Sequence, residues 1–366
     1  MCLRNNSGGL YFVKPFLTMN LKDSTQFPFW NFTLTLLFIL TLPYLLQDGM
    51  VTDGVLYTAV SINLANGLGS FWFPHFSDTM FLPFFHQQPP LTFGIQALFF
   101  KLFGNSIYCE RFYSFFTLCV SAFLIHRIWR KVYEEEKEVR QISWLPVLLW
   151  IIIPVCYWAY SNNVEENTMG IFTLFSTLCM YKGLLQKNAN SFFYLAAGSL
   201  LALMASLCKG FPGLFPVIIP FLHWLVFRSL SLKRMILFSF VTITTLLLAY
   251  ALLLSNTDAR TSLSAYLSDR VINSIKNVST EDDRFYLIKQ LLAELLVPFI
   301  VVALLSFYLK IKSVHVKAKT DDINRMLFFL LIGLSASVPL IVTLEQRRFY
   351  LVTSLPFYAI SFAILV

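Results

Sequence analysis

Runs of about twenty apolar residues recur along this chain, separated by short polar turns and one long exception. A helix of that length crosses a hydrocarbon core of about 30 Å at roughly 1.5 Å per residue. The pattern predicts spans at 29–47, 107–129, 143–160, 167–186, 191–208, 211–227, 235–254, 291–309, 326–343 and 349–366. Two neighbouring short spans are also compatible with one broken element. Residues 91–103 (LTFGIQALFFKLF) are apolar but too short to cross, which predicts a re-entrant or interfacial helix. The long exception runs from Asp48 to Gly104. Connections in compact proteins usually hold about 4–6 residues, and much longer ones are commonly functional or disordered. This one is too aromatic to be disordered.

Composition sets the class. Hydrophobic residues make up 57% and charged residues 13% of the 366, with 38 phenylalanines. A soluble domain holds about 45–50% apolar and about 25% charged residues. The prediction is an all-α polytopic membrane protein of about ten spans, whose large first extracytoplasmic loop contains short interfacial helices. Residues 1–28 read as a cytoplasmic segment and 29–366 as a single transmembrane domain, with outer loops at 48–106 and 255–290. The expectation is that no soluble C-terminal domain follows. The first 28 residues lack an apolar core followed by a small-residue cleavage site, so 29–47 reads as an uncleaved anchor.

Orientation follows from Lys and Arg. With the N-terminus cytoplasmic, one face collects Arg4, Lys14, Lys22, Arg127, Arg130, Lys131, Lys137, Arg140, Lys182 and Lys187. Arg228, Lys233, Arg234, Lys310, Lys312, Lys317, Lys319 and Arg325 join them, so most of the chain's 28 basic residues are on that side. The net charge of +8 then reflects topology and contact with anionic membrane lipids. No aromatic-basic interleaving suggests nucleic acid, and no Gly-rich phosphate loop or internal repeat is present. The six cysteines are scattered without a CxxC, which fits packing better than metal or disulfide.

This topology puts the unusual polar residues on the outer face together. Asp53 follows the first span. It reads either as a general base at the membrane surface or as the N-cap of a short helix over Val55–Asn66. His86-Gln87-Gln88-Pro89-Pro90-Leu91 holds two prolines that keep the backbone extended before a helix starts. It is either a ligand-facing polar edge or a rigid helix-entry turn. His86, His75, Asp53 and Asp78 lack the tight spacing of a metal site, so a divalent ion is unsupported and no cofactor is implied. Ser161–Asn167 is a short polar turn whose Glu165 and Glu166 are either solvated or turned toward the cavity Asp53 faces. Lys209-Gly210 breaks the positive-inside pattern and needs an anionic partner. Glu345-Gln346-Arg347-Arg348 offers forked donors suited to phosphate. Simple snorkelling to the interface is the alternative for each cation.

In this order the motifs resemble the GT-C superfamily of membrane glycosyltransferases. The nearest branch is that of the bacterial lipid A aminoarabinose transferase and the protein O-mannosyltransferases. The matching elements begin with Asp53-Gly54-Val55-Leu56-Tyr57, Pro89-Pro90-Leu91, Lys101-Leu102-Phe103-Gly104 and Arg111-Phe112. Glu166 follows with Glu165 adjacent, then Lys209-Gly210, Arg348-Phe349-Tyr350-Leu351 and Leu355-Pro356. Together they span about residues 45 to 360. The chain departs at Gln87-Gln88, where the aminoarabinose branch has Glu-Lys before Pro-Pro, so the resemblance implies no particular sugar.

What the resemblance implies is a polyprenyl-phosphate-linked sugar donor and a lipid, glycan or protein acceptor, as in lipid A or cell-surface glycan modification. The expected setting is the periplasmic face of a multi-pass bacterial inner-membrane protein. Asp53 would act as base in an inverting attack, Glu166 would orient the acceptor or sugar, and Lys209, Arg347 and Arg348 would hold the departing phosphate. Tyr57, His86, Gln87 and Gln88 would contact substrate, with Glu165 and Glu345 behind them. Two other classes stay open: a transporter or flippase for a lipid-linked or anionic solute, and a surface-polysaccharide polymerase or ligase.

Overall fold

The computed structural model describes residues 25–47, 49–78, 82–276, 280–281, 283–312 and 319–366. Asp48, most of the expected N-terminal segment, Lys317 and residues 277–279 of the second outer loop lie outside the described residues. The chain opens with α1 (Phe27–Leu46), then α2 (Thr52–Ala65). A two-stranded antiparallel ribbon follows, β1 (His75–Ser77) with β2 (Leu82–Phe84), pairing His75 with Phe84 and Ser77 with Leu82. Next come α3 (Leu91–Phe103), α4 (Ile107–Val132), α5 (Lys137–Gln141), α6 (Trp144–Ile151) and α7 (Pro154–Tyr160). The hairpin α8 (Glu165–Leu185) and α9 (Asn190–Lys209) leads through a 3-10 segment to α10 (Ile219–Phe227) and α11 (Leu232–Leu254). After α12 (Thr257–Ala265) come a π-helical turn and α13 (Asn273–Lys276). The chain finishes with α14 (Tyr286–Ile311), α15 (Thr320–Ser337) and α16 (Leu355–Ile364).

The all-α expectation holds. Among the described residues seven helices are long and apolar enough to cross a membrane: α1, α4, α8, α9, α11, α14 and α15 with its 3-10 extension to Val342. The three other expected spans are interrupted, and prolines explain why. The run 143–160 splits because Pro154 pushes Ile153 into extended backbone (φ −69°, ψ 122°) and starts α7 afresh. The amide this frees at Val155 donates to Glu294 Oε2 of α14 at 2.9 Å. Residues 211–227 begin as a 3-10 segment containing Pro212 and Pro216 before α10 starts. Residues 349–366 likewise divide between a 3-10 turn, Arg348–Thr353, and α16 with its Pro356. The expected short helix over 91–103 is α3, with the same bounds.

Burial divides the helices. Of the seven spans α8 is the most enclosed and α11 the least, so α8 is the central post and α11 an outer wall. α8 and α9 run antiparallel, with Ser176 Oγ donating to Gly198 O at 2.7 Å across a close contact of small residues. Trp129, Trp150, Phe328, Phe329 and Phe357 fill the interior. α11 and α14 turn large apolar side chains such as Leu247, Leu252, Leu292 and Phe307 outward, the inverse of a soluble surface.

The long first loop is an ordered subassembly with its own small core of Tyr57, Val60, Phe85 and Phe93 between α2 and α3. Ser61 Oγ donates to Gln96 Oε1 at 3.1 Å across the same seam. α2 is docked on the turn that precedes α8. Val51 N–H donates to Asn162 Oδ1 at 2.9 Å, and Asn163 Nδ2 donates to Thr58 Oγ1 at 3.1 Å. Asn163 sits at φ +50°, a left-handed position that asparagine tolerates. Gly54 packs against the same turn so closely that a Cβ there would lie 2.2 Å from the Asn162 carbonyl oxygen.

One correction concerns Asp53. The helix begins three residues earlier than Val55, Val51 is its N-cap residue, and no side chain caps it. Asp53 therefore lies within the first turn, where the helix dipole favours an anion, and caps nothing.

Gly54→Ala should drive α2 off the 161–164 turn at a cost of about 1–3 kcal/mol. A melt of detergent-purified protein should show this as a transition several degrees lower. An unchanged melt would mean that the close approach at Asn162 does not exist.

Candidate functional site

The site starts from two helix ends. Glu165 and Glu166 occupy the first turn of α8, and Lys209 occupies the last turn of α9. Each charge lies where its helix dipole favours it. Because the two helices are antiparallel neighbours, their charged ends meet. Lys209 Nζ stands 2.8 Å from Glu166 Oε1 and 3.5 Å from Glu165 Oε2. Both glutamates are fully buried, and Lys209 is 8% exposed. The ammonium also faces the rings of Tyr350 and Phe349, at 4.8 and 5.6 Å. Ion pairing with two carboxylates and aromatic faces together account for a buried lysine at the end of an apolar helix.

The chain turns sharply after Lys209. Gly210 adopts φ +93°, and the Tyr266 hydroxyl fills the space a Cβ would need, at 2.0 Å. That hydroxyl donates to the Lys209 carbonyl at 3.1 Å. The Lys-Gly pair thus fixes the ammonium from one side and the backbone from the other. Tyr57 completes the enclosure from α2. Burial, reinforced by the charge of Glu165, holds its phenol well above its usual pKa, so it stays a neutral hydroxyl at physiological pH. Asp53, one turn earlier, lies within electrostatic reach of Tyr57, Glu165 and Glu166.

Against this cluster opens a cavity of about 520 Å³. Its polar groups include Gln88, Glu166, Lys209, Tyr266, Arg270, Glu345 and Tyr350, and most of the remaining wall is apolar, from Phe211 and Phe215 to Ile275 and Val342. Arg270 Nη2 donates to Glu345 Oε1 at 2.7 Å, and the Tyr350 hydroxyl donates to the same oxygen at 3.3 Å. Arg270 and Tyr266 come from a π-helical turn, a conformation that recurs at functional sites.

The expected residues separate accordingly. Glu166, Lys209, Gln88 and Glu345 share the cavity wall, and Glu165 and Tyr57 stand behind it. Gln87, adjacent to Gln88, is exposed. His86 is half-buried against Phe73 at 5.5 Å, where burial pulls its pKa down and Asp269 only partly offsets this. Arg347 is exposed and outside the cavity lining. Arg348 Nη1 lies 3.5 Å from Glu294 Oε1 and stacks over Trp158 at 5.8 Å, also away from the cavity. His75 pairs with Asp78 at 3.0 Å, and no group of three or more His, Cys, Asp or Glu among the described residues could hold a metal ion.

Arg270 and Tyr266 are the additions. Like Lys209, Arg270 is a basic residue on the outer side of the predicted topology, but it shares that signal with Arg260, Lys276, Arg284 and Lys289 of the same polar loop.

Lys209→Met removes the cation from two buried carboxylates and should destabilise the protein by about 3–5 kcal/mol. Adding Glu166→Gln should restore part of that loss, because less uncompensated charge stays buried. Chemical denaturation of the two variants in one detergent reads the difference. A double variant no more stable than the single would contradict the coupling.

Comparison with known proteins fits this architecture. Residues 87–255 match the family model of dolichyl-phosphate-mannose-protein mannosyltransferases. No curated protein sequence matches the chain significantly. Among solved structures, ArnT from Cupriavidus metallidurans bound to undecaprenyl phosphate superposes with a TM-score of 0.68 at 14% identity, covering 92% of this chain and 59% of that one. The archaeal oligosaccharyltransferase AglB from Archaeoglobus fulgidus, in complex with an inhibitory peptide and a dolichol-phosphate, superposes with a TM-score of 0.52 at 13% identity. That match covers 93% of this chain and 50% of AglB. The chain spans little more than half the length of these proteins. It has the fold of the GT-C membrane glycosyltransferases and resembles their aminoarabinose-transferase and protein mannosyltransferase branch.

Proposed function

We propose that this chain is a glycosyltransferase that moves a sugar from a polyprenyl-phosphate donor to a lipid, glycan or protein acceptor at the periplasmic face of the inner membrane. The observation that carries this reading is the cavity itself, with Lys209, Arg270, Tyr350 and Glu166 on a mostly apolar wall. A second, apolar recess of about 720 Å³ shares Leu214, Phe215, Ser335 and Pro339 with it and extends between α10, α11 and α15. A phosphate-linked sugar on an isoprenoid chain has this same division into polar head and apolar tail. The neighbouring folds support the reading, since one is bound to undecaprenyl phosphate and another to a dolichol-phosphate.

The roles of the groups rest on the resemblance and on the charges around the cavity, with Asp53 behind its lining but within electrostatic reach of Glu165 and Glu166. The acceptor's O–H or N–H gives its proton to the Asp53 carboxylate as its heteroatom bonds to the anomeric carbon. The carbon–oxygen bond to phosphate breaks on the opposite side, and the departing polyprenyl phosphate takes the electron pair, which inverts the anomeric configuration. Lys209 and Arg270 stabilise that developing charge. Each already has a carboxylate partner, yet an ammonium has three protons and a guanidinium five, so donors remain for phosphate. Glu166 orients the sugar or acceptor, with Gln88 beside it on the wall. Arg270 takes the phosphate role first expected of Arg347 and Arg348, because Arg270 lines the cavity and neither of those does.

Purified full-length chain in nanodiscs, given polyprenyl-phosphate sugars and a lipid extract, should produce new glycoconjugates detectable by mass spectrometry. Asp53→Asn should slow transfer by about 10²–10⁴-fold, the usual contribution of general base catalysis. Transfer at wild-type rate by Asp53→Asn removes it as the base. Donor moved across the bilayer without covalent change would replace transfer with transport. Arg270→Gln should raise the donor KM about tenfold, equivalent to about 1.4 kcal/mol. An unchanged KM would remove Arg270 from the phosphate site.

A further inference from the structure

A second recess lies at the opposite ends of the helices that build the cavity. α8 runs 21 residues from Glu165 to Leu185, and α9 runs back over 20 to Lys209. Their connecting turn is thus about 30 Å from the glutamate–lysine cluster. There the turn and the start of α11 enclose a recess of about 500 Å³. Lys187, Lys233 and Arg234 line it, and no acidic residue does.

The three cations differ in freedom. Arg234 is fixed, because its Nη2 donates to Gln186 O at 2.7 Å and its guanidinium stacks over Phe238 at 5.0 Å. Lys187 and Lys233 are exposed. Ser231, also in the lining, caps α11 by accepting from Arg234 N–H at 3.3 Å. Beside the cations stand apolar side chains that the protein leaves partly exposed: Phe192 is 40% exposed, Leu232 53% and Leu237 46%. α8, α9 and α11 each have the length and composition of a span. The recess at their ends therefore lies where hydrocarbon gives way to headgroups.

We propose that this recess is a binding site for an anionic phospholipid. Its phosphate would lie among Lys187, Lys233 and Arg234, and its acyl chains would lie along Phe192 and Leu237. A soluble phosphate would satisfy the cations but leave the apolar walls bare, so the combination selects a lipid. The site shares no residue with the sugar cavity, and it stands or falls independently of the proposed transfer reaction. Occupancy would tie the start of α11 to the α8–α9 turn, the same junction that Arg234 bridges to Gln186.

Native mass spectrometry of the full-length chain released from mixed micelles of equimolar phosphatidylglycerol and phosphatidylcholine tests this directly. The chain should retain phosphatidylglycerol in preference, and millimolar inorganic phosphate should not displace it. The Lys187→Gln/Lys233→Gln variant should weaken retention about 25-fold, at about fivefold per basic residue near a headgroup. These two side chains are exposed, so the variant keeps the fold. Lys310→Gln/Lys312→Gln, exposed at the end of α14, should leave retention unchanged. Equal retention of both lipids by wild type would overturn the proposal. So would displacement by inorganic phosphate, an unaffected Lys187→Gln/Lys233→Gln variant, or an equal loss in the α14 variant.

Discussion

Lys209 stands 2.8 Å from one buried carboxylate and 3.5 Å from another, and much else in the molecule follows from keeping these three charges together. Removing an ion from water costs several kcal/mol, and only close partners repay it. The antiparallel α8–α9 hairpin supplies those partners by bringing the positive end of one helix dipole and the negative end of the other to the same place. Gly210 and Tyr266 then fix the backbone beyond the lysine, and Tyr350 and Phe349 cover its outer side. A cluster held this firmly is a rigid polar anchor at the cavity wall.

The irregular segments gather around that anchor. Unpaired backbone groups are costly in hydrocarbon, so broken helices are tolerated where protein or a cavity receives them. The 3-10 segment after α9 supplies Phe211 and Phe215 to the cavity wall, and the 3-10 turn before α16 supplies Tyr350. The break at Pro154 is resolved differently, by Glu294 accepting the freed Val155 amide while it also faces Arg348. Prolines in this chain thus do two jobs, shaping the cavity in one place and locking α7 to α14 in another.

The sequence made most of the helical framework legible because apolar runs of span length carry their own signal. α3 appeared with the bounds expected of it, and α8 and α9 began and ended within two residues of theirs. The run at 143–160 looked continuous because hydropathy does not register a proline's effect on the residue before it. Glu165, Glu166 and Lys209 were legible as charges out of place. Their mutual contact was not, since it depends on which helix ends become neighbours. Arg270 was hidden in a polar loop without periodicity, and its position on the outer side did not set it apart from Arg260, Lys276, Arg284 and Lys289 of the same loop. Arg348 was conspicuous in sequence, but its partner Glu294 lies 54 positions away on another helix. Asp53 was singled out early, yet its placement depends on Asn162, Asn163 and Gly54, which register α2 against the turn before α8.

The central claim is that the phosphate of a lipid-linked donor is held between the α8–α9 charge cluster and Arg270. A cryo-electron microscopy reconstruction of the full-length chain with bound polyprenyl phosphate would test it most directly. The account predicts phosphate density within hydrogen-bonding distance of both Lys209 and Arg270, with the isoprenoid tail running past Leu214 and Phe215. Phosphate density at Arg347 and Arg348, with the cavity beside Lys209 empty, would contradict it.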